Sequence, residues 1–434
     1  MKFKLDILIQ LLRFKWNRLF HWSEQGWESL RKKRLKKLYR HLRNSPAYRE
    51  LVNQNAPLSE FPVIHKEIFM RDFDQINTVK IKKADALKLA LEAEKTRDFS
   101  PMIDDITIGL SSGTSGNTGI FLVSPRERAH WVAGILDRVI GFSLQKRKVA
   151  FFLRANSNLY ESARSRLLEF AFFDIMQPIG SHIEKLKSFQ PDILIAQPSV
   201  LRSLAKAQEK GKMNLSLKKL ISVAEVLESI DRKHFEKVFG ITISEVYQCT
   251  EGFLAASCPA GRLHFNEDFI LLEKKYLDEG KKRFHPVITD LYRYTQPVIR
   301  YELNDIIVEY PHCECGQPGT AIDFIEGRSD DVFIFTDENG EETTVYPDLM
   351  RRAIITASGE ITFYHLTQTD QKTIAVYLEH EGSQNDIQDK VKSQLLEKLA
   401  GYKIHNIEII FTHSYQHEPG TKLRRIKNEY SKAD

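Results

Sequence analysis

Leu110-Ser111-Ser112-Gly113-Thr114-Ser115-Gly116-Asn117-Thr118-Gly119 follows directly on the apolar run Ile106 to Leu110. Glycines among hydroxyl residues can form a loop whose backbone N–H groups and side-chain hydroxyls surround phosphate oxygens. A Walker-type loop is excluded, because no Gly-Lys-Ser/Thr closes the segment and the next residues are Ile120 and Phe121. Taken alone, the segment fits a polar turn as well as a phosphate site. Its place at a strand's carboxyl end, where open α/β sheets bind ligands, favours binding.

Working outward, β-rich runs at Ile106 to Leu110, Val149 to Leu153, Ile193 to Ala196, Leu220 to Val223 and Ile241 to Val246 alternate with helical stretches. Those stretches are Arg126 to Phe142, Glu161 to Phe172, Val200 to Lys210 and Ile230 to Phe239. Alternation of this kind predicts an α/β core with a mainly parallel, doubly covered sheet. Residues 1–100 read as a mostly helical, basic leader. After Asp331 a turn at Asn339-Gly340, a helix near Pro347 to Thr356 and paired strands at Glu360 to Leu366 and Lys372 to Leu378 predict a small α+β lid. The expected division is 1–327 for the large N-terminal domain and 328–434 for the lid, with a hinge at Asp330.

With 434 residues, 28% charged side chains and a net charge of +5, the chain is an ordinary folded protein whose charge is too small to argue for nucleic acid. Four cysteines, two of them at Cys313 and Cys315, do not make a disulfide scaffold, and the charged N-terminal run lacks a cleavage site. A cytoplasmic location is expected. Leu5, Leu8, Leu11 and Leu12 share one helical face near Lys4 and Arg13; that face could pack on its own protein or meet an anionic membrane surface. The run Arg31 to Lys37 reads as a solvated basic face.

Glu245-Val246-Tyr247-Gln248-Cys249-Thr250-Glu251-Gly252 ends a strand with a ring that can stack on a base and a carboxylate that can hold the magnesium accompanying ATP. Farther on, Asp290 and the Ile299 to Asp305 stretch place acidic groups after apolar strands, suited to ribose hydroxyls. Cys258-x5-His264 with Cys313-x-Cys315-Gly316 is a Cys3His set suited to tetrahedral structural zinc, or else a group of buried thiols beside a histidine.

In their order, these segments resemble the adenylate-forming superfamily of acyl-CoA synthetases, peptide-synthetase adenylation domains and luciferases, most closely its phenylacetate-CoA ligase-like branch. The matching pieces are Ser111 to Gly119, Tyr247 to Glu251, Thr289 to Leu291, Ile299 to Asp305 and Gly327 to Asp331, with Asn44 to Tyr48 and Phe61 to Lys66 also similar. The resemblance implies activation of a carboxylic acid with ATP and Mg2+ to an acyl-adenylate, releasing pyrophosphate, then transfer to coenzyme A or a carrier pantetheine. It gives Ser111, Ser112, Gly113, Thr114, Ser115 and Gly116 to the phosphates, Ala224 and Glu225 to the adenine pocket, and Tyr247 and Thr250 to the adenylate. Glu251 would hold magnesium, Asp305 and Arg328 the ribose, and Lys422 would act in adenylation alongside Glu251 and Thr114.

Three departures stand out. The phosphate loop lacks the usual following Pro-Lys, Thr421 intervenes between Gly420 and Lys422, and Phe333 to Gly340 replaces the usual stretch beside the thioester-stage tunnel. The same branch includes enzymes that adenylate a phenolic hydroxyl, and a nucleotide-binding protein without turnover is a further alternative.

Overall fold

The structure, a computed structural model, describes residues 2–111, 119–141, 143, 145–153, 168–417 and 421–430. Its centre is a twelve-stranded sheet. Strands Leu168–Asp174, Arg147–Leu153, Ile193–Ala196, Lys219–Val223 and Ile243–Cys249 lie side by side in that order, all parallel. Helices Ile183–Phe189, Pro198–Glu209 and Ser229–Phe239 return the chain between successive strands, and such crossovers are what parallel pairing requires. The parallel arrangement is confined to these five strands. From Gly252–Ser257 onward short connections replace crossovers, and the remaining strands pair antiparallel out to the Ile270–Tyr276 edge.

Two local expectations change. Residues 168–172 of the expected helix Glu161 to Phe172 form the edge strand Leu168–Asp174, paired Val149 to Phe170 and Phe151 to Phe172; residues 161–167 lie outside the described ones. Three phenylalanines in seven residues suit a pleated, half-buried surface, and the neighbouring strand decided the matter. Ile106–Leu110 does not join the main sheet. It pairs antiparallel with Ile120–Val123, Leu110 opposite Ile120, in a separate three-stranded sheet. Residues 112–118, between these two strands in sequence, lie outside the described residues.

The leader is helical as expected, and its helix Glu24–Leu42 buries Trp27, Leu38 and Leu42 after capping by Ser23, whose Oγ accepts from the Gly26 N–H at 3.1 Å. The large sheet ends with Ala321–Arg328, followed by the short 3-10 turn Ser329–Asp331. Beyond it the hairpin Phe333–Thr336 and Glu342–Val345 turns at Gly340, whose φ of +84° suits glycine. Helices Pro347–Ala357 and Gln384–Ala400 cover a four-stranded sheet, and Phe333, Tyr364, Leu366, Val376 and Leu395 form a separate core. Among the described residues no helix is long and apolar enough to cross a membrane.

Candidate active site

Two neighbouring parallel strands carry the site at their carboxyl ends. Lys219–Val223 runs into Ala224, a non-glycine residue at φ +68°, so the chain turns sharply where the sheet stops. Ile243–Cys249 runs into Thr250 and Glu251, where the Thr250 hydroxyl donates to Glu251 Oε2 at 2.9 Å. Asp305, which opens Asp305–Tyr310, reaches the first pair: the Tyr247 hydroxyl donates to Asp305 Oδ2 at 2.6 Å, and Arg328 Nε lies 3.6 Å from Asp305 Oδ1. Burial, then the adjacent Asp305 charge, pushes the Tyr247 hydroxyl well above the ordinary range, so it stays a proton donor.

These residues border two cavities. One of about 140 Å³ is walled by Tyr247, Asp305, Gly327, Arg328 and Asp331. The other, about 370 Å³, is walled by aromatic residues including Phe121, Trp131, Phe151, Phe253 and Tyr292. Ala224, Gln248, Cys249 and Lys422 line both. A chamber ringed by charged side chains and an aromatic chamber thus share Lys422 in their walls.

Lys422 is held there by its neighbour: the Leu423 N–H donates to Glu225 Oε1 at 3.1 Å. Glu225 also accepts from the Ser199 N–H at 3.0 Å and hydroxyl at 2.9 Å, so both its oxygens are engaged. Its carboxylate therefore ties the Lys422 segment to the body. Burial, reinforced by Arg328, lowers the Lys422 ammonium below its usual range, against the pull of Asp305, Cys249 and Glu225. Burial, then Glu251, pushes the Cys249 thiol well up, which favours the protonated form of a packed thiol.

Similar proteins are known in both sequence and fold. The Staphylococcus aureus protein CapK is 24% identical over 416 residues, 91% of this chain and 88% of its own length. A phenylacetate-coenzyme A ligase of Thermus thermophilus is 25% identical over 203 residues, 44% of each chain. Among solved structures, 2-hydroxyisobutyryl-CoA ligase in its postadenylation state, in complex with 2-HIB-AMP, superposes with a TM-score of 0.65 at 16% identity, covering 93% of this chain and 90% of that one. The chain is thus similar in sequence to phenylacetate-coenzyme A ligases over part of its length, and it shares the fold of 2-hydroxyisobutyryl-CoA ligase. No protein-family model matches it.

Ser112, Gly113, Thr114, Ser115 and Gly116 lie outside the described residues, as does Gly420. The base of their loop is described: the Ser111 N–H donates to the Gly119 carbonyl at 2.8 Å, and the Gly119 N–H donates to Ser111 Oγ at 2.7 Å. Asp330 accepts from Asn304 Nδ2 at 3.3 Å, and its neighbour Asp331 pairs with Arg424.

Lys66 was not singled out as a site residue by the sequence. It opens helix Lys66–Arg71, runs past Gly119 and shares a small cleft with Thr250, Glu251 and Arg293. Burial lowers its ammonium, with Glu251 opposing. The only sequence signal was its position at the end of the Phe61 to Lys66 segment; its approach to Glu251 is a tertiary fact.

Cys258, His264, Cys313 and Cys315 converge although 55 residues separate the first and third. Their potential ligand atoms all lie within 4.8 Å of one another, with Cys258 Sγ 3.8 Å from Cys313 Sγ and Cys315 Sγ 3.4 Å from His264 Nε2. Gly261 at φ +80° and Gly316 at φ +67° make the two tight turns that aim the thiols inward. Burial lowers His264, favouring the neutral imidazole a metal needs. Burial and the neighbouring thiols push Cys315 up to about 12, a cost that a bound cation would offset.

Proposed function

We propose that the protein activates a small carboxylic acid as its acyl-adenylate and passes the acyl group to a thiol, coenzyme A or a carrier pantetheine. The observation that carries this reading is that Lys422 lies in the walls of both the charge-ringed and the aromatic chamber. A nucleotide in the first chamber and an acid in the second would bring carboxylate and α-phosphate together beside that ammonium.

In the first half-reaction a carboxylate oxygen attacks the α-phosphorus while the bond to the α–β bridging oxygen breaks, and pyrophosphate leaves with that electron pair. Lys422 stabilises the charge that develops between the two reactants. The Tyr247–Asp305–Arg328 chain supports ribose and adenylate, residues 112–118 between Ser111 and Gly119 supply phosphate contacts, and Lys66 beside Gly119 adds a cation to them. Glu251 is the carboxylate suited to magnesium, which when bound neutralises phosphate charge. In the second half-reaction the thiol sulfur attacks the acyl carbon and AMP departs. The small unit, from residue 328 on, pivots about Asp330 to withdraw Lys422 and admit the thiol. The Cys3His cluster holds structural zinc that pins the loop between Tyr310 and Ala321, outside the reaction itself.

Phe121, Trp131, Phe151 and Tyr292 around the larger cavity suit an aryl or similarly apolar acid. ATP–pyrophosphate exchange across a panel of aryl and aliphatic acids tests the assignment. Exchange dependent on at least one acid is expected, whereas ATP binding without exchange from any acid rejects it.

A further inference from the structure

Helix Lys2–Phe20 has two apolar faces, and the fold uses one. Ile7 and Phe14 are buried, with the Phe14 ring 5.0 Å from His130 and 6.1 Å from Phe269. Opposite them Leu5, Leu8, Ile9, Leu12, Trp16, Leu19 and Phe20 stand between 37% and 76% exposed. At the helical repeat these seven fall within a single arc of about 120°. An apolar stripe running the length of a helix is uncommon on proteins that work free in water.

Cations border the stripe. Exposed Lys4 and Lys15 lie along one side, Lys15 also pairing with Asp137, and exposed Arg13 along the other. Asp6 is the helix's one acidic residue. Past Arg13 the surface stays basic: Lys37 and Arg40 of helix Glu24–Leu42 and Arg126 of helix Pro125–Ile135 gather beside it. Burial and these three arginines together lower Lys37 to about 8, with no carboxylate among the groups that shift it. Like charges held together beside an apolar stripe are complementary to an anionic, amphipathic surface.

We propose that this helix seats the protein on an anionic phospholipid membrane, the stripe entering the acyl boundary and Arg13, Lys37, Arg40 and Arg126 meeting lipid phosphates. The inward face keeps the helix docked on Pro125–Ile135, so it lies in the plane of the interface rather than across the bilayer. A second copy fits less well, because a two-fold contact through the stripe would set each basic cluster near its mate. The larger cavity is one helix away: Arg128, Trp131 and Gly134 of Pro125–Ile135 line it.

Sedimentation of the full chain with vesicles tests the proposal. Association with phosphatidylcholine–phosphatidylglycerol vesicles is expected, with little on phosphatidylcholine alone, and it should weaken as salt is raised. Leu8→Asp/Leu12→Asp should abolish it, and Arg13→Gln and Arg40→Gln should each lower the affinity about five-fold. Leu12→Ser/Leu19→Ser is a milder second probe of the stripe if the first variant fails to fold. Absence of wild-type binding, equal binding by the wild type and correctly folded stripe variants, or a stripe-dependent dimer that excludes vesicles would overturn the proposal.

Discussion

Replacing Lys422 by alanine removes the one ammonium that, among the described residues, lines both chambers. Deleting a preorganised charge from such a position typically costs between one hundred- and one thousand-fold in rate. Arg328 stays beside the gap and preserves part of the positive field, which puts the loss at the low end, about 3 kcal/mol or ~100-fold. Folding should not suffer, because burial and Arg328 both oppose the charged lysine, so Tm should hold or rise. ATP–pyrophosphate exchange is the assay, and it should collapse while consumption of pre-formed acyl-adenylate by the thiol survives. The lowered Lys422 also sets a pH limit: exchange should fall on the alkaline side before an ordinary lysine would titrate, and Arg328→Gln should move that limb upward. Exchange close to wild type in Lys422→Ala would refute the junction argument. Lys427 is a poor substitute, since it lies in strand Ile426–Asn428 and pairs with Glu429 at 2.6 Å.

Two further outcomes are expected. Protein purified without a metal-affinity tag should carry one zinc per chain by elemental analysis, and Cys313→Ser/Cys315→Ser should lose both the metal and thermal stability; full zinc retention rules the site out. His365, stacked on Tyr415 at 4.3 Å, is lowered to about 4 by burial, with Lys427 adding. The unfolded chain takes up this proton below about 6.5 while the folded chain refuses it until about 4, so stability is lost as pH falls through that window. At roughly 1.4 kcal/mol per pH unit the loss reaches at most about 3 kcal/mol. Urea unfolding at neutral and acidic pH should show it, and His365→Gln should flatten it; an unchanged pH dependence in that variant contradicts the assignment.

Several features were legible in the residues themselves because they are local. The periodicity of Val200 to Lys210 and Ile230 to Phe239 marked helices close to Pro198–Glu209 and Ser229–Phe239, and the apolar runs at Ile193 to Ala196 and Leu220 to Val223 marked buried strands. The order of the Tyr247, Asp305 and Arg328 segments suggested one site, and Tyr247 and Asp305 do touch. Scarce cysteines likewise suggested the Cys3His set, because thiols are few enough for spacing to be informative.

Tertiary structure decided the rest, since pairing and burial depend on partners distant in the chain. Leu168–Asp174 became a strand because Arg147–Leu153 offered it a ladder, and the 106–123 segment became a hairpin outside the main sheet. Lys66 reached Glu251 across 185 positions, and Glu225 received Leu423 rather than standing open. The helix Lys2–Phe20 makes the division plainest. Its sequence marked one apolar face at Leu5, Leu8, Leu11 and Leu12, but only packing could choose what to bury: Ile7 and Phe14 went inward with Leu11 beside them, leaving Leu8, Leu12 and Trp16 facing outward.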